Sequence, residues 1–123
     1  MEYQGFRDLK VYQKSYTLAV EITEITKLFP KDEKYALVDQ IRRSSRAVPA
    51  ILAEAWARRI YPKSFVAKII EAYGEELETE VWLDMALDYK YLNKETHTDF
   101  FNRYTEVRKM LIYMSNNPDS FCK

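Results

Sequence analysis

Five arginines, Arg42, Arg43, Arg46, Arg58 and Arg59, fall within Gln40–Arg59, QIRRSSRAVPAILAEAWARR. A guanidinium is permanently charged, and its planar fork of donors fits a phosphate or a carboxylate with two parallel hydrogen bonds. On a helix, Arg42 and Arg46 are four apart and Arg43 and Arg46 three apart, so the three share one side. Arg58 and Arg59 follow about four turns on, a separation of about 22 to 24 Å by helix rise. Two basic clusters so spaced match separate phosphates of one duplex. The alternative is ion pairing, within or between subunits, with carboxylates of the next helix. Glu75 and Glu78, three residues apart, are placed to flank one guanidinium.

The charge is uneven along the chain. Segment 33–60 holds six basic residues against three acidic ones, a net +3, whereas segment 63–90 holds three against seven, a net −4. The totals cancel at 19 basic and 19 acidic residues, with a pI of about 6.6. Such a balance excludes a protein that coats nucleic acid by bulk positive charge, but it leaves room for a local basic face.

Other chemistry finds no constellation. A di-iron carboxylate site in a four-helix bundle needs Glu-x-x-His on two helices, and the one histidine, His97, has Lys94 three residues before it. His97 reads as a loop or first-turn surface residue. Gly5 and Gly74 stand alone, so there is no phosphate-cradling glycine loop. A Cys–His nucleophile would have to join Cys122 at the tail to His97, with no third group to orient them. Glu54, between Ala53 and Ala55, reads as a partly buried carboxylate paired with a helix arginine rather than a general acid. The expectation is a protein that is not an enzyme and uses no metal or cofactor. The single cysteine and the absence of CxxC fit a reducing compartment. The polar start MEYQGFRDLK is no signal peptide, and no apolar run approaches the roughly 20 residues that span a bilayer. A cytoplasmic protein with no membrane association is expected.

Four helices must position these residues in one domain over 1–123, at about 6–29, 33–60, 64–91 and 95–115. With 47% hydrophobic residues, 2 Gly and 4 Pro, the composition suits a packed helical core. In the first helix Val11, Leu18, Ile22, Ile25 and Phe29 recur on one face. A second stripe, Leu9, Tyr12, Tyr16, Ala19, Val20 and Thr23, either broadens that face or meets another subunit. Asp32 is placed to cap the second helix, whose inner stripe is Leu37, Ile41, Ser44, Val48, Ile51 or Leu52, and Ala55. Pro49 inside it predicts a kink near Ser45–Pro49. The third helix is expected to turn Val66, Ile70, Tyr73, Leu77, Val81 and Met85 inward, widened by Trp82, Leu83, Ala86 and Leu87. Gly74 is expected to allow close contact with the small residues of the second helix. The fourth buries Phe100, Tyr104, Val107, Leu111 and Met114, and the residues after Pro118 are expected to fray. The fold class is therefore all-α, an antiparallel up-down four-helix bundle.

The segments FRDLKVYQKSYTLAVEI, FPKDEKYALVDQIRRSSRAVPAILAEAWARR and YGEELETEVWLDMALDYKYL closely resemble the four-helix-bundle family of 23S rRNA intervening-sequence proteins. The accessory variability determinant of diversity-generating retroelements is similar to the same family. The resemblance covers about residues 6 to 115. It implies assembly as a homopentamer, and for the retroelement branch a basic barrel that binds nucleic acid and a reverse transcriptase. Carried over by position, the basic residues are Arg42, Arg43, Arg58 and Arg59, with Lys10 and Lys14 as weaker additions. This chain departs from the pattern in two places: Ala55 follows the Ala-Glu pair where the family commonly has Gly, and its net charge is zero.

Two functional expectations follow. One is a non-enzymatic homo-oligomer that binds structured RNA or an RNA–protein partner through the helix-two arginines. Repetition around the oligomer would multiply weak contacts into avidity. The other is an oligomeric scaffold that recognises protein alone, its arginines engaged in intersubunit ion pairs.

Overall fold

The computed structural model describes residues 5–123 as an all-α protein, with no strand among them. Residues 1–4, which the 1–123 domain expectation and the leader reading include, lie outside the described residues. Four long helices form a bundle: α1 (Lys10–Thr26), α2 (Leu37–Ala57), α3 (Pro62–Asp88) and α4 (Lys94–Asn116). α2 packs on α1 and α3, and α4 packs on α3 and α1. No helix among the described residues is long and apolar enough to cross a membrane.

The helix ends differ from the sequence expectation for local reasons. The stretch Gly5–Asp8 is a separate 3-10 turn, because Leu9 takes an extended conformation that interrupts the helix before Lys10. Asp32 does not cap α2. It lies in a 3-10 turn, Lys31–Glu33, and the helix starts after Ala36 with no side-chain cap. Glu33 instead accepts from the Leu37 amide at 3.4 Å. α2 then continues through Pro49, whose ring is buried. Pro62 begins α3, where its missing donor costs nothing. Asn93 caps α4 by accepting from the Thr96 amide at 2.7 Å. α3 ends in a left-handed residue: Lys90 has φ 67°, the Tyr91 amide donates to the Ala86 carbonyl at 2.8 Å, and the Lys90 amide donates to Leu87 at 2.9 Å. That is the Schellman pattern, with lysine where glycine is usual.

The core confirms the inward stripes of α2 and α4 and most of that of α1. Leu18, Ile22, Ile41, Val48, Tyr104, Val107 and Leu111 are all buried. α3 is rotated relative to expectation. Its buried face is Phe65, Ile69, Ala72, Glu76, Thr79, Leu83 and Ala86, at alternating spacings of four and three. Ile70, Leu77, Val81 and Met85, expected inside, are exposed. Glu76 and Thr79 lie on the true core face and disguise its periodicity. The Thr79 hydroxyl is hydrogen-bonded to that of Ser44 at 2.8 Å, which ties α3 to α2. Gly74 does not enable close packing on α2: a Cβ built there would meet nothing within 4 Å. The glycine instead falls on the exposed stripe, between Ile70 and Leu77.

The tail is ordered rather than frayed. Pro118–Ser120 forms a 3-10 turn, Phe121 stacks on Phe65 with centroids 6.1 Å apart, and the Lys123 amide donates to the Arg59 carbonyl at 3.3 Å. Cys122 is partly buried, and burial pushes its thiol pKa up.

Candidate nucleic-acid interface

The structure divides the helix-two arginines into three settings. Arg42 leans onto α1, its Nε donating to Thr26 Oγ1 at 2.8 Å and its Nη2 to the Thr23 carbonyl at 3.3 Å. Arg46 follows it, donating to Thr23 Oγ1 at 3.2 Å. Arg43 points to the other flank, lining a cleft of about 310 Å³ with Glu71, Glu75 and Glu78 of α3. The expectation that Arg42, Arg43 and Arg46 share one side is therefore corrected. A helix residue turns 100° from its neighbour, and that is enough to send Arg43 toward α3 and the other two toward α1.

Arg58 and Arg59 sit where α2 ends. Arg58 donates to Ser64 Oγ at 3.4 Å. Arg59 donates to the Trp56 carbonyl at 2.9 Å and lies over the Trp56 ring, 3.8 Å from its centroid. Lys14 pairs with Glu106 at 2.8 Å, both side chains remaining exposed to solvent. Lys10 is exposed and borders an apolar groove of about 360 Å³ together with Lys109 and Phe121. Phe121 also packs on Phe65 at the start of α3, and the Lys123 amide donates to the Arg59 carbonyl, so the tail links the Lys10–Lys109 groove to the end of α2. Lys109 and Lys123 were missed in the sequence, since only the folding of α4 and the tail onto the other helices brings them there.

The pairing of charges decides what these arginines are available for. Arg103 of α4 grips Glu21 and reaches Asp99 at 3.2 Å, and Arg108 donates to both oxygens of Glu80 at 2.9 Å. No arginine of α2 forms an ion pair within 4 Å among the described residues; their hydrogen bonds go to hydroxyls and carbonyls. The expected clamp of Glu75 and Glu78 on one guanidinium is not formed within the protomer. Glu75 is held above the usual carboxylate range by its partial burial and then by Glu78, against a weaker opposing pull from Arg43. Glu54 is exposed, and its partner is Lys68 at 3.8 Å rather than an arginine. His97 lies in the first turn of α4, its Nε2 2.8 Å from Asp84 Oδ1. Among the described residues no group of three or more His, Cys, Asp or Glu is disposed to hold a metal ion.

A second feature is apolar. Between α1 and α2 runs a groove of about 470 Å³ whose walls include Tyr12, Tyr16 and Val20 on one side and Pro49, Ala50 and Ala53 on the other. It uses the second stripe of α1, with Tyr16 and Val20 each about half exposed.

The family model for 23S rRNA-intervening sequence protein matches residues 7–113. Among solved structures, the chain is similar to the crystal structure of a protein of unknown function from the S23 ribosomal protein family of Bacteroides thetaiotaomicron. The two share 30% identity with a TM-score of 0.78, over 86% of this chain and 95% of that one. No curated protein matches the chain at a significant level.

Proposed function

The chain belongs to the 23S rRNA-intervening sequence protein family, and on that premise we propose a non-enzymatic, homo-oligomeric, antiparallel up-down bundle that binds structured RNA or an RNA–protein complex. The contacts are the arginines of α2 together with Arg58 and Arg59 at its C-terminal end. The observation that carries this reading is the contrast between helices: the arginines of α4 are matched to carboxylates, and those of α2 are not. An unmatched guanidinium held by neutral acceptors keeps its full charge and a defined orientation for a phosphate. The descending order of the α2–α3 pairs, Ser44 with Thr79 and Glu54 with Lys68, supports the antiparallel arrangement. Self-association is supported by the exposed stripe Ile70, Leu77, Val81 and Met85 on α3 and by the α1–α2 groove, two apolar surfaces that a second copy would cover. The resemblance set out above implies five subunits.

The test is fluorescence anisotropy with a structured RNA across a salt series. Log affinity should fall linearly with log salt, with a slope of about −0.7 to −0.9 per phosphate contacted. Replacing Arg42, Arg43, Arg58 and Arg59 together with Ala should remove the binding and leave the oligomer intact. Unchanged affinity in that variant would refute the site.

A second reading rests on the acidic cleft beside Arg43, where Lys68 pairs with Glu71 at 3.3 Å and Glu75 and Glu78 have no cation within ion-pair distance among the described residues. There the arginines of one subunit pair with the carboxylates of the next, and the oligomer recognises only protein. In that case the same variant falls to smaller species in light scattering, and the unmodified protein does not bind RNA even at low salt.

A further inference from the structure

The start of α2 and the end of α3 border a groove of about 470 Å³ lined in part by Glu33, Gln40, Trp82, Met85, Tyr89 and Tyr91. It combines three aromatic rings, a thioether and one carboxylate. The rings are held from behind. Tyr91 packs on Phe29 with centroids 5.3 Å apart and on Tyr89 at 5.6 Å. The left-handed backbone at Lys90 places Tyr89 and Tyr91 on either side of a sharp turn, so that both reach the same groove. The Trp82 indole donates to Glu78 Oε1 at 3.3 Å.

The carboxylate is equally fixed. Glu33 Oε2 accepts from the Tyr91 hydroxyl at 2.7 Å, and its Oε1 from the Leu37 amide at 3.4 Å. No cation lies within ion-pair distance of Glu33 among the described residues. Lys34, its neighbour in sequence, turns instead over the Tyr35 ring at 5.3 Å. The groove therefore presents an oriented negative charge with no cation in ion-pair reach, bordered by three aromatic side chains, while Tyr89 and Met85 stay 55% and 38% exposed.

Aromatic faces and a carboxylate together select an organic cation. Between an ammonium and a guanidinium, the flat guanidinium suits this groove better. It stacks on tryptophan and tyrosine faces while its edge donors meet a carboxylate and the side-chain carbonyl of an amide such as Gln40. A compact, strongly hydrated ammonium gains less from the same walls. We infer that the groove between the start of α2 and the end of α3 is a recognition site for an arginine side chain carried by a segment of a partner protein. The site adjoins the Arg43 cleft, sharing Gln40 with it, but none of the α2 arginines lines it and its recognition of a cation does not depend on the proposed RNA binding.

The experiment uses the full chain with Trp56→Phe, so that Trp82 is the only tryptophan, and an N-acetylated, C-amidated Ala-Arg-Ala peptide as the probe. The expected result is a saturable change in Trp82 emission at millimolar peptide. The peptide with citrulline in place of arginine, equal in shape and uncharged, should bind at least about tenfold more weakly, the scale of one charge-assisted hydrogen bond. Glu33→Gln should weaken the arginine peptide by a similar factor. Amide and indole NMR shifts of the unmodified protein, which need no substitution to fold, should localise to Gln40, Trp82, Tyr89 and Tyr91. The assignment is overturned by equal binding of the citrulline peptide, by shifts clustered elsewhere, or by no saturable response. Tighter binding of tetramethylammonium than of the arginine peptide would also overturn it, marking a site for small ammonium compounds instead.

Discussion

Glu76 offers the sharpest test of how this core is built. It is 0% exposed, and neither carboxylate oxygen has a hydrogen-bond partner. Tyr104, across from it on α4, is also fully buried with its hydroxyl unpartnered. The nearest charges offer little help, because Glu80 is engaged with Arg108, and Arg103 with Glu21. Burial, and then the neighbouring Glu80, push the Glu76 carboxyl up to about 9, against a weaker opposing pull from Arg108. At neutral pH the folded chain therefore keeps a proton that the unfolded chain, where the carboxyl titrates near its ordinary 4.5, has released. The sign follows from that difference. The folded state binds more protons throughout the window from 4.5 to about 9, so stability is highest below the window and falls as pH rises through it.

The slope from this one group is about 1.4 kcal/mol per pH unit. Taken over the interval from 4.5 to neutrality, the cost reaches about 3 kcal/mol. Glu76→Gln keeps the shape and the unpartnered polar atoms but removes the titration. Urea unfolding followed by circular dichroism should find the variant and the parent nearly equal at pH 5. By pH 7 the variant should be the more stable by about 2 to 3 kcal/mol, and by more at pH 8. A difference that stays flat with pH, or a parent that is the more stable at pH 8, would show that Glu76 is solvated or paired and refute the reasoning.

Two further predictions bear on other links of the chain from sequence to assembly. Leu77→Asp lies on the exposed stripe of α3, so it should leave the thermal midpoint of an isolated protomer nearly unchanged while lowering the mass seen by light scattering; a full-sized oligomer would show that the stripe faces solvent. Lys90→Gly relieves a left-handed lysine, a gain of about 1 to 2 kcal/mol partly offset by the backbone entropy of glycine, and denaturant titration should find a net stabilisation of about 0.5 to 1 kcal/mol. Loss of stability there would mean that the Lys90 side chain contributes more than its backbone costs.

The four helices were legible because α1, α2 and α4 follow the simplest rule: their apolar residues recur on one face, and that face is buried. α3 broke the rule through two residues. Glu76 and Thr79 occupy core positions, so a reader who counts apolar side chains is drawn about a third of a turn away, to Ile70, Leu77 and Val81. Those residues form a good stripe, but it is a stripe for the outside. What would have pointed the right way is the heptad spacing Phe65, Ile69, Ala72, Glu76, Thr79, Leu83, Ala86 taken regardless of polarity. The aromatic groove was illegible for another reason. Glu33 and Tyr91 are 58 residues apart, and nothing local to either says that a left-handed lysine will turn Tyr91 back onto α2.

The same distinction applies to charge. Net charge counts formal charges, whereas binding responds to the charges that the fold leaves unmatched. Arg103 and Arg108 are matched across helices to Glu21 and Glu80, so those four residues add nothing to the field that a ligand meets. Arg42, Arg43, Arg46, Arg58 and Arg59 remain, and so do Glu75 and Glu78 near Arg43, whereas Lys68 pairs with Glu71 at 3.3 Å and Glu54 at 3.8 Å. A neutral chain thus carries unmatched arginines on both flanks and at the end of α2, and unmatched carboxylates on the adjoining α3. If neighbouring subunits brought those arginines against those carboxylates, the two would cancel and RNA affinity would vanish with assembly. If assembly uses the apolar stripe of α3 and the α1–α2 groove instead, the arginines stay open and are repeated around the oligomer. Anisotropy measured across a protein dilution series separates these cases: RNA affinity per subunit should rise as the oligomer forms in the second and fall in the first.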